Sequence, residues 1–131
     1  MLVDSHCHLD YYVEAEIADV IARAKEAGIG RMVTIGTRFA QAAQVKALTE
    51  RFDCVLGTVG IHPHNAGEGP LPGPEALAAL ADHPRIIGLG EGGLDYFYDK
   101  APRDAQAETV ARDRRAVAVR LAFCVWGAGS P

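Results

Sequence analysis

The sequence predicts an α/β fold of the TIM (β/α)8-barrel type, of which this chain carries about the first four βα units. Three observations predict it. Strand-like and helix-like segments alternate over the first hundred residues, and the strands read as near-continuous apolar runs. Polar residues able to do chemistry stand at the C-terminal ends of the first, third and fourth strands. Alternation with apolar strands implies parallel βαβ units joined by right-handed crossovers. An open doubly wound sheet would share that much, but ligand clusters drawn from several strand ends are the habit of a barrel. A whole barrel takes about 250 residues, and the chain has 131.

Leu2 to Ser5 reads as the first strand. From Val13 to Ala27 apolar residues recur at helical spacing, with Val13, Ile17, Val20, Ile21 and Ala24 on one face and Gly28 as the stop. Arg31 to Gly36 is β-branched and apolar, the mark of a strand buried on both faces. A second helix fits Phe39 to Glu50, and Cys54 to Ile61 makes a third strand that runs into His62-Pro63-His64. After a Gly/Pro-rich loop, a short helix spans Glu75 to Ala81; His83 then belongs to a solvated connection. Arg85 to Gly90 forms a fourth strand ending at Glu91. Residues 88–93 match Gly-x-Gly-x-x-Gly, but no helix opens after them, so the phosphate-binding reading of that motif fails.

The candidate site is built from these strand ends. In Asp4-Ser5-His6-Cys7-His8-Leu9-Asp10 the two histidines are one residue apart, so a strand aims both from the same face and can offer two nitrogen ligands to a divalent metal. Cys7 then points to the opposite face. Glu91 is set among glycines at the end of an apolar strand, where a buried carboxylate needs a cation or strong donors. A metal held by His6 and His8 would supply one; a structural Arg or Lys is the alternative. His62 and His64 can contact a metal, bind a phosphate, act in acid–base work or be satisfied structurally. Asp95 and Tyr96 can orient a metal ligand from behind, or Asp95 can simply form a turn.

Composition narrows the partners. The net charge of −4 gives no general attraction for nucleic acid, so a phosphate substrate must be gripped locally. Cys7, Cys54 and Cys124 are odd in number and widely spaced, which argues for free thiols in a reducing compartment. No run approaches bilayer length, and the opening residues lack the basic region, apolar stretch and cleavage site by which a secretory leader would be expected. The expectation is a soluble, cytoplasmic chain with no membrane contact and no obligate protein partner.

Together the segments 4–10, Gly60-Ile61-His62-Pro63-His64 and Gly90-Glu91-Gly92-Gly93-Leu94-Asp95-Tyr96 resemble the TatD family of metal-dependent hydrolases. The resemblance covers roughly residues 1–108, the N-terminal half of such a barrel; Gly92 stands where the family usually has a larger residue. It implies two divalent metal ions (Mg²⁺, Mn²⁺ or Zn²⁺) and hydrolysis of phosphodiester bonds in DNA, of exonuclease type. By the same resemblance His6 and His8 bind one metal, Glu91 bridges both, and His62 lies near the substrate phosphate, so that Glu91 and His62 are the catalytic candidates. The family's later ligands, two histidines and an aspartate, have no counterpart. Residues 109–131 hold no histidine and read as a divergent tail, either out-of-frame translation or a genuine short variant. The enzyme reading therefore stands beside two others: an inactive fragment with residual metal binding, and an amidohydrolase acting on C–N bonds. The last also begins with His-x-His, but it commonly uses lysine or histidine where Glu91 stands.

Overall fold

Each strand of the sheet hands the chain to a helix and receives it back one strand further along. The computed structural model describes residues 1–116 and the backbone of 122–127. Among the described residues the strands are β1 (Leu2–Cys7), β2 (Ile29–Thr34), β3 (Val55–Val59), β4 (Ile86–Leu94) and β5 (Ala122–Gly127). They pair in parallel in the order β1-β2-β3-β4-β5. The connecting helices are α1 (Glu14–Glu26), α2 (Ala42–Arg51), α3 (Pro74–Ala81) and α4 (Arg103–Ala116). Four βα units and a further strand result, and all strand C-termini lie at one end of the sheet.

Two apolar clusters fasten helices to strands. Ile17 and Ile21 of α1 meet Met32, Leu48, Cys54 and Val55, with Val20 and Ala24 packed at the edge. Val45 of α2 and Leu77 and Ala81 of α3 meet Val59, Ile86 and Leu89. A fully buried Ile, Val or Leu side chain contributes about 1.5–3 kcal/mol, so these clusters hold the strand ends in place. Gly60 belongs to the same framework. A Cβ there would lie 2.7 Å from the Gly90 Cα, so β3 and β4 approach more closely than any other residue permits.

Several sequence expectations change. Val13 caps α1 in an extended conformation and is exposed, because it precedes the first helical turn and does not share the buried face. The second helix opens as a 3₁₀ turn, Phe39–Gln41, and becomes α-helical at Ala42. Residues 88–93 are strand, with no turn into a helix. His83 is half-buried: its Nε2 lies 3.3 Å from a Glu50 carboxylate oxygen and its Nδ1 accepts the Arg85 amide. Strand β4 is covered by β5, whereas β1 is an edge among the described residues. Part of the tail, residues 117–121 and 128–131, lies outside the described residues, as does the Cys124 side chain.

Candidate metal centre

Two irregularities in the ladder shape the site. Between Asp4 and Cys7, three steps of β1 face two of β2, Met32 to Thr34. Between Leu89 and Gly92, three steps of β4 face two of β5. Each is a bulge with one extra residue, and a bulge re-aims the side chains it contains. His6 sits in the first and Glu91 in the second. The Asp4 carboxylate accepts the His6 amide at 3.1 Å, so a residue next to the ligand pair is spent on the backbone. In the second bulge the Gly90–Glu91 peptide is cis. The Glu91 amide donates to the Gly36 carbonyl at 2.7 Å. Thr58 stitches this together: its hydroxyl donates to the Gly90 carbonyl at 2.7 Å and accepts the Gly36 amide at 3.2 Å.

The result brings the three expected ligands to one point. One ligand atom each from His6, His8 and Glu91 lie within 4.8 Å of one another. A cation takes imidazole nitrogen and carboxylate oxygen at about 2.0–2.2 Å, so small rotamer changes let one ion touch all three. His8 is prepared for the task. Its Nδ1 lies 3.2 Å from the Ile35 carbonyl, which can only accept, so the proton sits on Nδ1 and the Nε2 lone pair is left for a metal. Glu91 is 3 % exposed, and the His6 ring nitrogen 3.7 Å away is too distant for a hydrogen bond. A buried carboxylate with no closer cation among the described residues suits a metal ligand. This donor set of two imidazoles and one carboxylate fits a divalent ion such as Zn²⁺ or Mn²⁺.

A cavity of about 270 Å³ opens over these ligands, and His62 and His64 line it with them. The His62 Nδ1 accepts the His64 amide at 3.0 Å, which puts the proton of the neutral ring on Nε2. Burial, followed by the neighbouring His64, pulls the His62 pKa down to about 4, so the ring is neutral near pH 7. The His64 Nε2 donates to the Asp95 carboxylate at 2.5 Å. Burial alone would raise the Asp95 carboxyl, but the Tyr98 amide, the His64 ring and the Phe97 amide outweigh it and hold Asp95 below the usual carboxylate range. Gln106 of α4 grips the Asp95 main chain, accepting its amide at 2.7 Å and donating to its carbonyl at 3.1 Å.

Cys7 behaves as its alternation implies. Its thiol turns away from the cavity and donates to the Val33 carbonyl, and burial pushes its pKa up to about 12. Tyr96 takes no part: it is exposed, with the Arg103 guanidinium 4.6 Å above its ring. Asp10 is buried, both of its carboxylate oxygens lack a hydrogen-bond partner among the described residues, and burial raises its pKa.

The sequence reading missed Tyr11, Thr37, Arg38 and Asn65, which also line the cavity. The Tyr11 ring stacks on His8 with centroids 4.8 Å apart, and its hydroxyl meets Thr37 at 3.2 Å. Thr37 and Arg38 follow the end of β2, so the strand-end rule applied to the first, third and fourth strands would have found them on the second.

Comparison with known proteins sets the chain beside one family. The family model described as TatD related DNase matches residues 3–125. The uncharacterized metal-dependent hydrolase YabD of Bacillus subtilis is 32% identical over 119 residues, 90% of this chain and 46% of its own length. The 3'-5' ssDNA/RNA exonuclease TatD of Citrobacter koseri is 36% identical over 78 residues, 60% of this chain and 30% of its own. The crystal structure of YJJV, a TatD homolog from Escherichia coli K12, superposes with a TM-score of 0.74 at 26% identity, covering 88% of this chain and 46% of that one. The chain thus spans less than half the length of these relatives. With a family match running through most of its residues and over all three strand-end segments, the chain belongs to the TatD related DNase family.

Proposed function

We propose that this chain is the metal-binding N-terminal half of a hydrolase that cleaves phosphodiester bonds in nucleic acid, DNA in particular. The observation that carries the reading is the convergence of His6, His8 and Glu91 at the mouth of one cavity. Two such chemically distinct groups, delivered from the first and fourth strands, have little structural use there without a cation between them. Relatives named as exonucleases and as a metal-dependent hydrolase support the same reaction class.

In this reading His6, His8 and Glu91 would hold one divalent ion, with a second ion expected from the family. A bound divalent ion would lower the pKa of water towards about 7 and offset charge on the phosphate oxygens. The chain's own residues do the rest. Neutral His62 presents its Nε2 proton to a phosphate oxygen, and Asp95 fixes the neighbouring His64 ring through Nε2. In the net reaction water adds oxygen to phosphorus, the P–O ester bond breaks, and the leaving oxygen takes a proton.

The experiment uses the metal-freed 131-residue chain. Titration with Mn²⁺ or Zn²⁺ is expected to show saturable binding, and a short single-stranded oligonucleotide is expected to bind only once metal is present. Because the family's later ligands are missing, cleavage of single-stranded DNA by this chain is expected to be slight or absent. Oligonucleotide binding indifferent to metal would sink the reading, and vigorous Mg²⁺- or Mn²⁺-dependent cleavage would overturn the expected loss of activity.

A further inference from the structure

Beside the metal cavity lies a second one, of about 250 Å³, and Arg38 and Asn65 line both. The two differ in chemistry. The first is walled by imidazoles and a carboxylate, the second largely by Phe39, Ile61, Leu71 and Pro72. We propose that the second cavity seats a nucleobase, the one carried by the nucleotide whose phosphate lies at His6, His8 and Glu91. This rests on the phosphodiester reading above and adds what it lacks, a site for the rest of the substrate.

Continuity is the first argument. A nucleotide is an anionic group and a flat apolar group joined by a short sugar, and the two cavities share a wall in the same sequence of chemistries. Preorganisation is the second. Arg38 stands at the junction, its Nε and Nη2 2.8 and 3.0 Å from the two Glu68 oxygens and its Nη2 2.9 Å from the Asn65 side-chain oxygen. Glu68 offsets much of its charge but fixes the plane of the guanidinium before any anion arrives, and a fixed planar donor suits phosphate. Rigidity is the third. Phe39 is half-buried with one side against the core cluster of Val45, Val59 and Leu77, so its ring loses little freedom when a base stacks on it. Pro70 and Pro72 stiffen the loop opposite.

Stacking reads the face of a base and not its hydrogen-bonding edge, so the cavity accepts all bases with little preference. The test measures binding, because this chain is not expected to turn over. With saturating Mn²⁺, the purified 131-residue chain is titrated calorimetrically with inorganic phosphate, deoxyribose 5-phosphate and the four deoxynucleoside monophosphates. The nucleotides are expected to bind about tenfold or more tightly than deoxyribose 5-phosphate. Phe39→Ala removes that advantage while phosphate affinity stays unchanged. Since Phe39 also touches the core, Leu71→Asp provides a second variant on the exposed side of the cavity, with the same expected loss. Equal affinity for nucleotide and sugar phosphate, or an advantage that survives both substitutions, overturns the base site and leaves the hydrolase reading intact. Failure of phosphate and nucleotides alike to bind the metal-loaded chain overturns the phosphodiester reading, and the base site with it.

Discussion

At the scale of single residues, His62 shows how a neighbour fixes a role. Accepting the His64 amide commits its Nδ1, and burial lowers its pKa from the ordinary 6.5 to about 4. Between those values the unfolded chain binds the proton more strongly than the native one, so stability rises with pH. The contribution is complete above about pH 6.5 and is lost as the pH falls through 4. Urea unfolding of the metal-free chain in chelator should therefore show a midpoint that declines from pH 7 to 4.5, and His62→Gln should flatten that decline. An unchanged slope would mean that another group takes the proton. Glu91 supplies the carboxylate of the donor set. Glu91→Gln is expected to weaken Mn²⁺ binding at least about tenfold, ~1.4 kcal/mol, and to abolish the rise in melting temperature that metal produces. Calorimetry and a thermal melt read both. His6, His8, Glu91 and His62 were all legible in the sequence because their spacing and strand-end positions are local properties. Tyr11 and Gln106 were not, since their use depends on contacts across elements.

At the scale of elements, the bulges matter more than the strands that contain them. Simple alternation places His6 and His8 on one face, yet β1 carries an extra residue between Asp4 and Cys7, and β4 one between Leu89 and Gly92. No sequence periodicity announces either. Thr58 supports the second bulge with two hydrogen bonds from a buried hydroxyl. Thr58→Val keeps the shape and removes both, which should cost about 1–3 kcal/mol in denaturant unfolding and lower metal affinity as Glu91 loses its register. A variant with unchanged metal affinity would show that Glu91 is held by other means. Helix α4 divides at about its middle. Gln106 uses both of its amide donors and its carbonyl oxygen around Asp95 and Ala101. Further along, Arg112 and Asp113 are both buried, paired with each other, and each keeps one atom without a partner among the described residues. A half-satisfied buried ion pair is a poor way to stabilise a helix.

At the scale of the whole molecule, that contrast bears on the tail. We propose that residues 1–108 are the family's N-terminal half and that residues 109–131 are an out-of-frame continuation, on the grounds of the half-satisfied Arg112–Asp113 pair and the absence of histidine from 109–131; the family match running on to residue 125 and the pairing of β5 with β4 favour the opposite reading, an in-frame continuation. The nucleotide sequence beyond codon 109 is expected to encode, in another frame, an apolar strand ending in His; absence of such a strand from both frames overturns this. The other end of the sheet makes a separate prediction. Among the described residues strand β1 is an edge, and Leu2 and Val3 on it are 63% and 57% exposed. An exposed apolar edge templates further pairing, so light scattering should show the isolated chain associating as its concentration rises. Leu2→Lys together with Val3→Glu should suppress it. No helix among the described residues is long and apolar enough to cross a membrane.

By itself the sequence determined the parallel α/β architecture, the barrel type and the trio of His6, His8 and Glu91 that the fold brings to one point. Those follow from apolar periodicity and from motifs contained within a few residues, which the backbone cannot express in many ways. Only the tertiary structure decided that Asp4 serves the His6 amide, that Asp95 is held by Gln106 to orient His64, and that an apolar cavity shares Arg38 with the metal cavity. The first is local but follows from a bulge that no periodicity marks, and the other two depend on groups from separate elements meeting at the strand ends.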